Sequence, residues 1–148
     1  MPYTSSLTGD EIDTFLERPW AARLACIRPD GTPHVVPVWH RWDGEQLFLL
    51  AWPESHWASF IRSNPSVSIT IDEPWPPHRR VSIRGSARPI KEPDLPLNRG
   101  DFIESFFLRY LHHPIPPEAP AWLAEPYAVQ VEAVNGWKGL QTGSPDEN

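Results

Sequence analysis

The sequence has little cysteine, little lysine and no long apolar segment. Cys26 is its single cysteine, so no disulfide can form within the chain, and nothing in the sequence requires an oxidising compartment. No apolar run approaches the roughly 20 residues that span a bilayer, and residues 1–10 lack the basic and apolar pattern of a signal peptide. We therefore expect a soluble, cytoplasmic protein with no membrane partner.

Several motifs of metal and nucleotide sites are also missing. The chain has no zinc-ligand spacing, no phosphate-binding glycine loop and no dinucleotide-binding fingerprint. Its formal net charge is −6, which argues against a protein that coats nucleic acid, because phosphate binding needs clustered lysine and arginine. We predict no metal site and no nucleic-acid partner.

The residues that are present are typical of one globular domain. The 148 residues are the usual size of a domain, and 40% of them are hydrophobic. Most of the 19 prolines fall between periodic segments, where proline sets turns, and the eight tryptophans would be costly to leave exposed. We predict a single domain over residues 1–148, with flexible tails at residues 1–8 and 142–148.

Hydrophobic periodicity divides the chain into short strands and three helices. Thr8 and Glu11 have the spacing of a capping box, which predicts that a helix begins there. Alternation and helical spacing then predict the other elements. These are helices over residues 54–63 and 101–111, and strands over residues 21–28, 32–42, 46–52, 66–72, 79–91 and 127–134.

Turn residues connect these segments without any βαβ alternation. Asp43-Gly44 predicts a tight hairpin, and Asn135-Gly136 predicts a turn after the last strand. Gly85, inside a predicted strand, indicates a bulge or a close backbone approach. Six short strands with tight turns favour a closed antiparallel barrel.

The second predicted strand is apolar on both faces. In residues 35–39 (VVPVW) neither set of alternating side chains is polar, whereas a half-solvated antiparallel strand would show a polar face. Both faces are therefore expected to be covered, one by the barrel core and the other by a ligand or a second subunit. Homodimerisation is the economical explanation, and a covering helix is the alternative.

Several segments, in order, resemble the FMN-binding split-barrel family of pyridoxamine 5′-phosphate oxidase. The likeness covers roughly residues 11–140. It implies a mainly β fold, a six-stranded antiparallel split β-barrel with α-helices. The matching segments are residues 31–39 (GTPHVVPVW), 42–44 (WDG), 62–68 (RSNPSVS), 80–85 (RVSIRG), 109–111 (RYL) and the late strand that ends at Trp137.

The resemblance also implies a function. Members of this family are typically homodimers that bind FMN, or in some branches a deazaflavin or haem, at the dimer interface. The cofactor phosphate is expected near the start of the helix that follows the third strand, because a helix N-terminus suits an anion. We expect an FMN-dependent oxidoreductase that acts on an unidentified small molecule. The cofactor would carry the redox chemistry, so no side chain is assigned as catalytic.

Individual positions carry over from the family pattern. Arg41 matches a basic cofactor contact, Ser55 matches a serine at the phosphate end, and Arg80 occupies a polar position near the flavin. Backbone groups of Pro37, Val38 and Trp39 are expected to face the ring system. Ser55 could instead cap the helix, and the two arginines could be solvated strand residues.

Departures from the family pattern keep other functions open. His56 and Trp57 stand where the family has two basic residues, and Val36 stands where it has an arginine, which removes charge that would hold a phosphate. We include His56 and Trp57 as a modified cofactor contact, although Trp57 could pack in the core. Two alternatives follow: a reductase that uses the deazaflavin F420, or a non-catalytic, flavin-free barrel that holds haem or another apolar ligand.

Two further side chains are candidate ligands. His34 and His40 lie on the second predicted strand and could bind a metal or haem, but a lone histidine is more often structural. The substrate is expected in a pocket lined by Trp39, Trp52 or Trp57.

Overall fold

A computed structural model describes residues 6–118 and 123–139. It contains seven strands, three α-helices and a short 3-10 helix at Glu92–Asp94. The elements are α1 (Gly9–Leu16), β1 (Ala22–Ile27), β2 (Pro33–Val38), β3 (His40–Trp42), β4 (Gln46–Ala51), α2 (His56–Ser63), β5 (Ser66–Asp72), β6 (Arg80–Pro89), α3 (Arg99–Leu111) and β7 (Glu125–Trp137).

The strands form one antiparallel sheet in the order β2-β1-β5-β6-β7-β4-β3. Its two outermost strands, β2 and β3, are consecutive in the chain and are separated by Trp39 alone. The sheet must therefore curl until its two ends meet at that residue. This confirms the predicted split β-barrel, with the second predicted strand divided in two.

The division at Trp39 has a structural reason. Up to Val38 the segment pairs with β1, with Ala22 opposite Val38. From His40 it pairs with β4, with Leu49 opposite His40. A change of partner interrupts the ladder, so the predicted strand over residues 32–42 becomes β2 and β3, and the sheet has seven strands instead of six.

Two apolar clusters sit on opposite sides of β4. Leu47, Leu49 and Ala51 point into the barrel core, which also holds Ile69 and Ile83. On the other face of β4 a second cluster lies against α3. This second cluster comprises Phe48, Leu50, Ile90, Phe102, Ile103, Phe106, Phe107, Ala124 and Ala128. Both faces of β4 are covered, which explains why its sequence is a nearly continuous apolar run.

The first helix begins as the sequence predicts. The Thr8 side chain accepts from the Glu11 N–H, and the Glu11 carboxylate accepts from the Thr8 N–H, so the capping box is confirmed. At the other end, the Arg109 guanidinium donates to the carbonyl oxygens of Leu16, Glu17 and Arg18 over 2.6–2.8 Å. A side chain of α3 thus satisfies the carbonyl groups that the end of α1 leaves free.

The chain around Ser6 also packs against the sheet. Ser6 forms an isolated bridge with Trp137, and Leu7 is buried with its N–H donating to the Gly136 carbonyl over 2.9 Å. The sequence places residues 6–8 in a flexible tail, whereas here they cover the end of β7. Residues 1–5, residues 119–122 and residues 140–148, which include the predicted tail from residue 142, lie outside the described residues.

Of the two sequence predictions that involve Gly85 and Gly136, the structure confirms one and contradicts the other. The bulge predicted at Gly85 is confirmed, because the register between β6 and β7 shifts between Arg84 and Gly85. The turn predicted at Asn135-Gly136 is wrong: β7 continues to Trp137, and Gly136 pairs with Val81. A Cβ at Gly136 would lie 2.6 Å from the Leu7 Cβ, so glycine is required there for close packing and not for a turn.

A buried ion pair closes the loop between β5 and β6. Glu73 is 1% exposed, and its carboxylate accepts from the Arg79 Nε, Nη2 and backbone N–H, each over 2.9 Å. The hydrogen bonds from Arg79 lower the pKa of Glu73. Trp75 at the loop tip packs edge-on against Trp20 at a ring-centroid distance of 5.2 Å.

Among the described residues, no helix is long and apolar enough to cross a membrane.

His40 is fully buried at the start of β3. Neither ring nitrogen has a hydrogen-bond partner among residues 6–118 and 123–139. Burial, and then the positive charge of Arg109, lower the pKa of His40 from 6.5 to about 3. The histidine is therefore neutral in the folded protein at neutral pH.

We expect His40 to make the fold sensitive to acid. Below pH 6.5 the unfolded chain takes up a proton on this side chain while the folded chain does not, so stability falls as the pH falls toward 3. The loss between pH 7 and 4.5 should be roughly 2–3 kcal/mol. His40→Met should remove this loss in urea unfolding at pH 7.0, 5.5 and 4.5. The same change at the exposed His113 is the control, and equal pH slopes in the two variants would contradict the assignment.

Candidate functional site

A cavity of about 620 Å³ opens between β2, the end of β4 and the start of α2. A volume of this size is in the range of small-molecule sites. Its walls are mostly apolar and include three tryptophans. The lining residues are Ala21, His34, Val36, Pro37, Val38, Trp39, Leu50, Trp52, Glu54, Ser55, His56 and Trp57.

Trp39 forms a wall of the cavity at the place where the strand is interrupted. It lies outside the registers of both β2 and β3, so its peptide groups are not committed to strand pairing. Its ring stacks on Tyr110 of α3, with centroids 5.0 Å apart and planes inclined by 4°. Trp52 meets the Trp39 ring edge-on at 5.8 Å.

Tyr110 also holds the backbone beside Trp39. Its hydroxyl oxygen accepts from the His40 N–H over 3.0 Å. Its proton faces the carbonyl oxygens of Trp20 at 3.2 Å and His40 at 3.3 Å. Burial raises the pKa of Tyr110, which keeps the hydroxyl protonated. Helix α3 therefore fixes the cavity wall through both the ring and the hydroxyl of one tyrosine.

The N-terminus of α2 borders the cavity without a side-chain cap. Ser55 is the N-cap residue, but its hydroxyl accepts from the Trp52 N–H over 2.9 Å and makes no capping hydrogen bond. The first N–H groups of a helix have no partner within the helix. With its cap engaged elsewhere, the start of α2 can accept an anion.

Charge in the cavity is sparse. Among the described residues, Glu54 is the only formally charged side chain in the lining, and no arginine or lysine belongs to it. His34 and His56 are the other titratable side chains there. Arg28 contacts the lining, since its Nη2 lies 3.1 Å from the His34 Nδ1.

Six of the eight predicted site residues line this one cavity. They are Pro37, Val38, Trp39, Ser55, His56 and Trp57. Trp57 is also a core residue, as the alternative interpretation held: it is 3% exposed and packs against Tyr127 at 5.2 Å. Its assignment as a cofactor contact stays a prediction, like that of the other five.

The two predicted arginines lie elsewhere. The Arg41 Nη1 donates to the Ser105 hydroxyl over 2.9 Å, and its guanidinium lies over the Phe102 ring. Arg80 lies over the Trp137 ring at 4.8 Å. Neither lines the cavity of its own chain, so a cofactor contact by either residue is not supported within a single chain.

The sequence interpretation missed several lining residues. Glu54, Leu50 and Ala21 had no pattern that singled them out, since each depends on how the end of β4 and the start of α2 meet β2. The sequence offers His34 only as a metal or haem ligand. Its position on the same strand face as Val36, two residues on, was the available signal that it faces the same space.

Comparisons with known proteins agree with this fold. The model of the pyridoxamine 5′-phosphate oxidase family matches residues 8–131. No curated protein gives a significant match. Among solved structures, an F420 reductase is 30% identical, with a TM-score of 0.69, and the alignment covers 82% of this chain and 94% of the reductase.

Two further structures share the fold at lower identity. An FAD-binding protein from Mesorhizobium loti is 23% identical, with a TM-score of 0.67 and coverage of 93% of this chain and 97% of that chain. A conserved hypothetical protein from Mycobacterium tuberculosis is 23% identical, with a TM-score of 0.69 and coverage of 94% of each chain.

The contacts of Tyr110 can be separated by two substitutions. Tyr110→Phe removes the hydroxyl and keeps the stack on Trp39, so it should lower the free energy of unfolding by about 1–2 kcal/mol with a small change in near-ultraviolet circular dichroism. Tyr110→Leu also removes the stack, and should shift the tryptophan fluorescence and abolish the dichroism of the Trp39–Tyr110 pair. Identical spectra in the two variants would show that Trp39 does not depend on this ring.

Proposed function

The chain belongs to the pyridoxamine 5′-phosphate oxidase family, and on that premise we propose that it is an oxidoreductase that holds a flavin-type cofactor in the cavity between β2 and α2. The observation that carries the proposal is the cavity itself, which has tryptophan walls and ends at the uncapped start of a helix. A planar ring suits the first feature, and an anionic group suits the second.

The ring would rest against the walls formed by Trp39 and Trp52. Both side chains are half-buried, and each is held edge-on or stacked by neighbouring rings. Because the peptide groups of Trp39 are outside the strand ladders, they are free to bond polar atoms at the rim of the ring. Apolar walls also keep water away from the reacting face.

The phosphate would be held at the start of α2. His56 is exposed there and begins the helix, and the first-turn N–H groups lack a side-chain cap. Among the described residues no arginine or lysine lines the cavity, so this end of it offers little positive charge.

We favour the deazaflavin F420 as the cofactor, with FMN as the second candidate. The structurally similar protein at 30% identity is an F420 reductase. FMN is the cofactor that the family resemblance implies. Either one would supply transfer of a hydride to or from a small organic molecule, while this chain binds and orients the reactants.

Titration with both cofactors tests the proposal. We expect F420 to quench the tryptophan fluorescence at lower concentration than FMN. Trp52→Leu should weaken binding about tenfold, because it removes an aromatic wall. Trp75→Leu is the matched control, since Trp75 is 54% exposed and does not line the cavity. If neither cofactor binds, the proposal fails and a flavin-free barrel is the better description.

We further propose that the protein is a homodimer joined through the outer face of β2. Val35 is 64% exposed, and its neighbours on that face, Pro33 and Pro37, are exposed as well. In the described residues no helix covers this apolar face, so the covering helix considered from the sequence is absent there. A second copy would remove the face from water.

Val35→Glu should convert the dimer to a monomer, because a carboxylate placed in an apolar interface loses its hydration without gaining a partner. Light scattering after size-exclusion chromatography gives the mass directly. Leu97→Glu, at another exposed apolar position that is 40% accessible, should leave the dimer intact. A wild-type protein that elutes as a monomer at micromolar concentration would contradict the proposal.

A further inference from the structure

Arg28 and His34 form a pair at the edge of the cavity. His34 lies on β2, is half-buried and belongs to the cavity lining. Arg28 directly follows β1, in the hairpin that leads into β2. Its Nη2 lies 3.1 Å from the His34 Nδ1, and its Nη1 donates to the Pro33 carbonyl over 2.7 Å. The guanidinium is therefore anchored at two points beside the imidazole.

This contact fixes where the imidazole carries its proton. A guanidinium has only hydrogen-bond donors, so Nδ1 of His34 must accept. A neutral imidazole that accepts at Nδ1 carries its proton at Nε2. Because the two ring nitrogens point in divergent directions, the Nε2–H bond is directed away from Arg28.

Other contacts fix the plane of the His34 ring. Phe60 of α2 meets it edge-on, with centroids 5.4 Å apart and planes inclined by 82°. On the backbone, His34 is paired with Cys26 of β1. Within residues 6–118 and 123–139 no protein acceptor bonds the Nε2–H. His34 thus presents one oriented donor that the protein itself does not use.

The cavity contains other donors, among them the Ser55 hydroxyl and the ring N–H groups of His56 and the lining tryptophans. His34 differs from them because Arg28 fixes which of its two ring nitrogens carries the proton. An acceptor on a bound ring, most simply a carbonyl oxygen, would find an oriented partner at His34.

We propose that His34 donates a hydrogen bond from Nε2 to a carbonyl oxygen of the ligand bound in the cavity, and that Arg28 is a positioning residue that fixes the required tautomer. The proposal rests on the proposed function, because it assumes a ring ligand with carbonyl groups. Two sources share this chemistry: a carbonyl of the flavin-type ring, or a carbonyl of the substrate beside it.

The tautomer can be tested without any ligand. Nitrogen-15 NMR of histidine-labelled protein, at a pH well above the ordinary histidine pKa of about 6.5, should show His34 protonated only at Nε2. Arg28→Met should add a detectable population protonated at Nδ1. A wild-type His34 protonated at Nδ1, or an Arg28→Met spectrum identical to the wild type, would overturn the assigned role of Arg28.

Binding measurements test the donor itself. His34→Leu should weaken the binding of F420 and of its phosphate-free chromophore by the same factor, about 3- to 10-fold. The binding of FMN and of riboflavin, its phosphate-free form, should also weaken by one common factor. His34→Gln, which keeps an N–H donor at a similar reach, should restore most of the affinity. Equal losses with and without the phosphate would identify a ring carbonyl as the acceptor.

The other possible results of these measurements distinguish a substrate acceptor from failure of the proposal. Unchanged cofactor binding with a raised KM for the quinone menadione would support the proposal with the substrate carbonyl as acceptor. A loss confined to the phosphate-bearing cofactor, or no change in binding and KM, would overturn the proposal while the proposed function stands. A wild-type protein that binds neither cofactor would overturn both.

Discussion

Both ends of the sheet belong to one stretch of chain, and the rest of the structure depends on this constraint. β2 ends at Val38 and β3 begins at His40, so the Cα atoms of these two residues are at most about 7 Å apart. The sheet cannot open wider than this gap allows at that end. The cavity lies beside the same point, because Trp39 leaves both ladders there and its ring becomes a wall. Barrel closure and site formation therefore have one cause.

The arginines of this chain mostly support the fold instead of lining the cavity. Arg79 neutralises the buried Glu73, Arg109 binds the end of α1, and Arg62 pairs with Glu125. Arg28 is the one that reaches the cavity, and it does so through His34. The cavity is consequently lined by aromatic walls, an imidazole and the start of a helix.

Local patterns predicted much of the fold. The alternation of Val67, Ile69 and Ile71 places β5 correctly, since all three are buried, and the capping box locates the start of α1. The interruption at Trp39 and the continuation of β7 through Gly136 were not predictable in this way. Strand propensity and turn signals are properties of neighbouring residues, whereas both features are set by partners distant in sequence.

The candidate site was predictable to a similar extent. Family resemblance led to the strand around Pro37 and the start of α2, which the structure brings together around one cavity. It could not give the direction of long side chains, and Arg41 and Arg80 make their contacts with Ser105 and Trp137 outside this cavity. Glu54 was missed because its place in the lining depends on the turn between β4 and α2.

The dependence of α1 on distant residues bears on the order in which the chain folds. An isolated helix of eight residues is well below the length that is stable in water. The carbonyl groups at the end of α1 are hydrogen-bonded by Arg109, more than 90 residues later in the chain. The segment that precedes α1 is hydrogen-bonded to Gly136 of the last strand. Although α1 precedes the strands in the chain, it is therefore among the last elements of this domain to acquire a stable structure.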